Sequence, residues 1–100
     1  MTFKEDVTRR IKADFGEEAE KAMSMLDDAV QETEDLNTDR IIRCIVFLAN
    51  GDLSNLHKYI QSAASDPRDI MLWAEYKNSN DHYTRIRDLD KTFEECEIKE

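Results

Sequence analysis

Few residues in this chain have the chemistry of a reacting group. There are two cysteines, Cys44 and Cys96, and two histidines, His57 and His82. The cysteines have no Cys-x-x-Cys spacing and no neighbouring histidine, so neither a zinc site nor a redox pair is written in them. Cys44 lies among Ile41, Ile42, Ile45 and Val46, where a free cysteine behaves as a small hydrophobe. A nucleophilic thiol needs an electropositive, exposed setting instead. The histidines fall in different segments without ligand spacing. His57 shares a helical stripe with Leu53 and Ile60, which predicts a part-buried, hydrogen-bonded side chain and not a catalytic base. Asp35-x-Asn37-x-Asp39 resembles the opening of a calcium loop. Arg40, however, stands where that loop needs glycine, and Val46 where it needs the closing glutamate. Helix capping accounts for the same residues. Adjacent acids such as Asp27-Asp28 and Glu94-Glu95 diverge on a helix and make poor acid–base pairs. The sequence therefore predicts no catalytic residue, no metal and no cofactor.

Two pairs of residues stand apart from the background. Arg40 and Arg43 are the charges on an otherwise apolar run, Arg40 to Ala49. Asp39 precedes Arg43 by four residues, so an ion pair within the helix is the expected use of that charge. A small-ligand or enzymatic site near Arg40, Arg43 and His57, taking a carboxylate or phosphate, is the alternative. Trp73 and Tyr76 are three apart in the next strongly apolar segment. That spacing first predicts core, and second an aromatic anchor for a partner.

The net charge is −9, and residues 14–39 account for all of it, with ten acids against Lys21 alone. Such a face keeps a small protein soluble. It also offers a surface for a basic partner, with Glu20, Asp27, Asp28, Glu32 and Asp35 as its candidate contacts, joined by Trp73 and Tyr76. Nucleic acid is disfavoured. The segment around Asn50-Gly51 could pass for a helix-turn-helix, but its second helix carries Lys58 and no arginine, and phosphate contacts supply most non-specific affinity. No apolar run approaches the ~20 residues that span a membrane, and the first residues lack the apolar core of a signal peptide. A cytoplasmic, reduced protein without disulfides is the expectation.

Those residues must be positioned by helices. Only two glycines and one proline interrupt the 100 residues, which favours long helices and tight connections. Thr2 and Glu5 fit a capping box for helix 1, and its narrow stripe, Phe3, Val7 and Ile11, places it at the periphery. Helix 2 is expected over 17–35, with Ala19, Ala22, Met23, Leu26, Ala29 and Val30 on one face. Helix 3, over 38–50, is apolar nearly all round and so buried nearly all round. A strand reading fails because no second strand pattern is evident to pair with it. In Asn50-Gly51-Asp52, Gly51 suits the left-handed residue past a helix end, and Asp52 or Ser54 suits the cap of helix 4, over 53–65. Asp66-Pro67 restarts the chain as helix 5, over 67–77. After a break at Asn78–Asp81, Tyr83, Ile86, Leu89, Phe93 and Cys96 predict helix 6 over 81–95, with 96–100 frayed.

The architecture expected is a single all-α domain over 1–100. About six helices form antiparallel hairpins packed around central helices 38–50 and 67–77. The function expected is a small acidic interaction module of inhibitor, immunity-type or adaptor kind, binding a protein partner through the acidic face. A structural homo-dimer through the C-terminal helix is a further alternative.

Overall fold

The computed structural model describes residues 3–79 and 82–98. The chain is mostly helical. It contains α1 (Glu5–Phe15), α2 (Ala19–Glu32), α3 (Asp39–Ala49), α4 (Leu53–Ser65) and α5 (Pro67–Glu75), with a two-stranded ribbon of β1 (Tyr76–Ser79) and β2 (His82–Arg85). Short 3-10 turns at Gly16–Glu18 and Glu34–Leu36 flank α2.

Side-chain caps start α3, α4 and α5, whereas α1 begins at Glu5 after Lys4 without one, and Thr2 of the expected capping box lies outside the described residues. The Thr38 hydroxyl accepts the Ile41 N–H at 3.2 Å and starts α3. The Asp52 carboxylate accepts the Asn55 N–H at 3.0 Å and starts α4. Asp66 accepts the Arg68 N–H, and Pro67 follows as the first residue of α5. Between α3 and α4 both Asn50 (φ 49°) and Gly51 (φ 79°) are left-handed, so the turn uses two such residues where the sequence predicts one.

The core sits around α3, which buries Ile41, Ile42, Cys44, Ile45, Val46 and Ala49. It packs mainly against α4 and α5, and also against α1. The extended stretch at Thr33 ends α2 at Glu32, short of the predicted Asp35. Acids at 34 and 35 therefore stand beyond the negative end of that helix and not within its last turn. Helix α1 is not peripheral: Val7, Ile11 and Phe15 are all buried in the common core. Helix α5 is less enclosed than predicted. It buries Ile70, Ala74 and Glu75, leaves Met71 and Leu72 half-buried and exposes Trp73.

Helix 6 is the principal error of the sequence reading. Helix α5 stops at Glu75, and Tyr76 turns extended to begin an antiparallel ribbon in which Tyr76 faces Arg85 and Asn78 faces Tyr83. The chain from Ile86 to Ile98 then forms a loop closed on itself. Arg87 and Glu97 make an antiparallel bridge, and the Asp88 N–H donates to the Cys96 carbonyl at 2.6 Å. The residues up to Ile98 are thus tied in, and Cys96 is buried. Leu89, Phe93 and Cys96 do face the core, as their spacing predicts, but from a loop. Asp81, where helix 6 was expected to begin, lies outside the described residues, and Arg85 is in a strand. The dimer seam expected on helix 6 has no helix to carry it.

Candidate functional site

The arginines of α3 do not form an open ligand site. The Arg43 guanidinium is 4% exposed and grips the Asp6 carboxylate of α1 through Nε at 2.9 Å and Nη2 at 3.1 Å. Its remaining Nη1 donates to the Leu89 carbonyl at 3.2 Å. The predicted Asp39–Arg43 pair is therefore replaced by a pair spanning 37 residues of sequence. Arg40 binds Glu75 of α5 in the same two-pronged manner, with Nε at 3.1 Å from Oε2 and Nη2 at 2.5 Å from Oε1. Glu75 is fully buried; it also accepts the Leu89 N–H at 2.9 Å and lies 3.6 Å from Arg85. Asp6 accepts the Phe93 N–H at 3.1 Å.

Two ion pairs thus do one structural task. Each fixes an arginine of α3 and uses the spare lone pairs of its carboxylate to hold a backbone N–H of the C-terminal loop. Buried charges demand pairing and full hydrogen bonding, and both sets meet that demand. Burial alone would push the Asp6 carboxyl up. The Arg43 hydrogen bonds, the Phe93 N–H and the Arg43 charge outweigh it and hold the group below the usual carboxylate range. The Arg43 guanidinium is correspondingly pushed up, by its hydrogen bonds to Asp6 first, against the opposing effect of burial.

Reactive groups are placed for packing. The Cys44 thiol is fully buried and pushed up to about 12, by burial first and by the Glu75 charge second, against the lowering effect of Arg40. Such a thiol is a poor nucleophile near neutrality. Burial also pushes the Cys96 thiol up, and its Sγ donates to the Phe93 carbonyl at 3.3 Å. His57 is exposed, not part-buried, and lines a groove between α4 and α2 in which neither arginine of α3 takes part. Among the described residues no three His, Cys, Asp or Glu side chains gather closely enough to hold a metal ion, and no helix is long and apolar enough to cross a membrane.

The predicted partner contacts fall on two separate surfaces. Glu20, Asp28 and Glu32 are exposed on α2, Asp35 is exposed just beyond it, and Asp27 is half-buried. Asp28 and Glu32 line a groove of about 210 Å³ between α2 and α4, with Met25, Ala29 and Ile60 as its apolar lining and His57 and Gln61 on the α4 wall. Trp73 is 47% exposed, not core, and meets Tyr59 edge to face with ring centres 6.2 Å apart. Tyr59 leaves α4 roughly 160° round the helix from His57, at ~100° per residue. The aromatic pair therefore faces away from the acidic groove. Tyr76 is half-buried at the start of β1.

A second cleft, of about 280 Å³, lies between α1 and the C-terminal loop and is lined by Asp6, Arg9, Arg10, Ala13, Phe93 and Glu94. Its charges are matched internally. Arg9 meets Glu94 at 2.7 Å, and Arg10 meets Asp14 at 2.8 Å while lying 4.9 Å from the Phe93 ring centre.

Asp6 and Glu75 are the residues the sequence reading missed, and a signal for Glu75 was available. It is the one charge in the run Ile70 to Tyr76, as Arg40 and Arg43 are in theirs. Lone opposite charges on two strongly apolar helices must either meet each other or remain unpaired in the core. The chain matches no protein-family model, no curated protein and no solved structure.

Proposed function

We propose that this protein acts by binding a basic macromolecular partner, a protein in preference to a nucleic acid, through the acidic face of α2. One contrast carries this reading. Outside α2, Asp6, Asp14, Glu75, Asp88 and Glu94 are each paired with an arginine. Glu20, Asp28, Glu32 and Asp35 are exposed and make no ion pair among the described residues. Unpaired charges of one sign on one face set up a potential that attracts and orients an opposite charge.

The test is affinity capture from the native host at low and high salt, with the wild-type chain and with Glu20→Lys, Asp28→Lys, Asp35→Lys combined. A basic protein retained at low salt, released at high salt and lost from the triple variant is the expected result. The same proteins captured by both chains would exclude the acidic face.

A further inference from the structure

The groove between α2 and α4 narrows the partner's chemistry. We propose that it is the docking site for an amphipathic, cationic helix of a partner protein. The occupant lays apolar side chains along Met25 and Ala29 and sets bases against Asp28 and Glu32. This inference rests on the acidic face being a binding surface.

Three observations carry it. The groove sets the half-buried Met25 and Ala29 beside an acidic rim on the α2 wall, so it offers a small apolar contact together with charge. Its volume of about 210 Å³ is below the ~300–1,000 Å³ typical of small-molecule pockets; it suits a few anchoring side chains. Asp28 and Glu32 are four apart on one helix and so stand one turn, ~6 Å, apart along its axis. Bases at the same spacing on a partner helix meet both carboxylates while its apolar stripe enters the groove, the arrangement by which grooves receive helices. Charge also separates this groove from the larger cleft. There Arg9 cancels Glu94, Arg10 is paired with Asp14 and Asp6 is committed to Arg43, so little remains for a visitor to neutralise.

The test uses the full chain and a fluorescein-labelled amphipathic leucine–lysine helix with lysines four apart, read by anisotropy at low and high salt. The side-chain methyls of Met25 and Ile60 are followed by NMR in the same titration. Binding is expected to shift those methyls, to weaken with salt, and to fall by about tenfold or more with Asp28→Lys, Glu32→Lys combined, as for truncation of interface hot spots. Gln61→Trp, at an exposed position on the α4 wall, should fill the groove and weaken binding comparably while leaving the acids in place. Wild-type affinity in Gln61→Trp with undisturbed methyls would overturn the groove while leaving the acidic face intact. Wild-type affinity in the charge-reversed chain would overturn both.

Discussion

Arg43 and Asp6 stand 37 residues apart in sequence, and their side chains meet through two hydrogen bonds in the interior, with Phe93 and Leu89 completing the set from a third segment. This contact joins α1, α3 and the C-terminal loop at one point. Removing either partner strands the other. Asp6→Asn and Arg43→Met are each expected to lower unfolding free energy by about 3–5 kcal/mol, the usual cost of breaking a buried pair. Urea denaturation followed by circular dichroism measures it. The double variant should lose less than the two single losses together, because neither charge is then left alone.

The same pair makes stability depend on acid. The Asp6 carboxyl, held below its usual range despite burial, gives up its proton more readily in the folded chain than in the unfolded one. Its contribution is therefore complete above the unfolded value of ~3.9 and is lost as pH falls through the lower folded value. Urea midpoints measured from neutral pH downward should drop below about pH 4 in the wild type. In Asp6→Asn the midpoint starts lower and that part of the acid slope is absent. An unchanged slope in the variant would assign acid sensitivity to other carboxylates.

The starts of α3, α4 and α5 were legible because their chemistry is local. Thr38, Asp52 and Asp66 each bond an N–H two or three residues ahead, so a short window of sequence contains both donor and acceptor. The loop after β2 was not legible for the opposite reason. Leu89, Phe93 and Cys96 repeat at helical spacing, yet the Ile86 and Arg87 N–H groups donate to the Glu75 carbonyl and the Leu89 and Phe93 N–H groups to the Glu75 and Asp6 carboxylates. Partners so far away in the chain override a local period. The ribbon itself had a readable signal in Tyr83-Thr84 after the polar Asn78–Asp81 break, because aromatic and β-branched residues favour strands. Of the candidate site, the acidic face was legible as composition. Its separation from Trp73 was not, since that depends on which side of α4 each surface occupies.

The α3–α4 turn is tight enough to distinguish the two glycines. A Cβ on Gly51 would lie 2.4 Å from the Asp14 carbonyl oxygen, whereas one on Gly16 meets nothing within 4 Å. Both have positive φ, 79° and 55°, so an L side chain is strained at each, by roughly 1–3 kcal/mol. Gly51→Ala must also push the end of α1 away from the turn. Thermal melts should show Gly51→Ala clearly less stable than Gly16→Ala, and equal losses would mean that the contact with Asp14 carries no constraint.

Trp73 sits at the edge of the architecture, and its removal should show it. The indole is 47% exposed and touches Tyr59 edge to face, a contact worth about 0.5–1.5 kcal/mol when well packed. Trp73→Ala should therefore cost about 1 kcal/mol or less, well below the ~3–5 kcal/mol of a core tryptophan truncation. As the sole tryptophan in the chain, it also reports its own surroundings. Its native emission should already be red-shifted and open to iodide quenching, with little further change on unfolding. Because Tyr59 leaves α4 away from the acidic groove, adding the leucine–lysine helix should leave that emission unchanged while Met25 and Ile60 respond. A matching shift in Trp73 emission would place the bound helix on the α4–α5 side and count against the separation of the two surfaces.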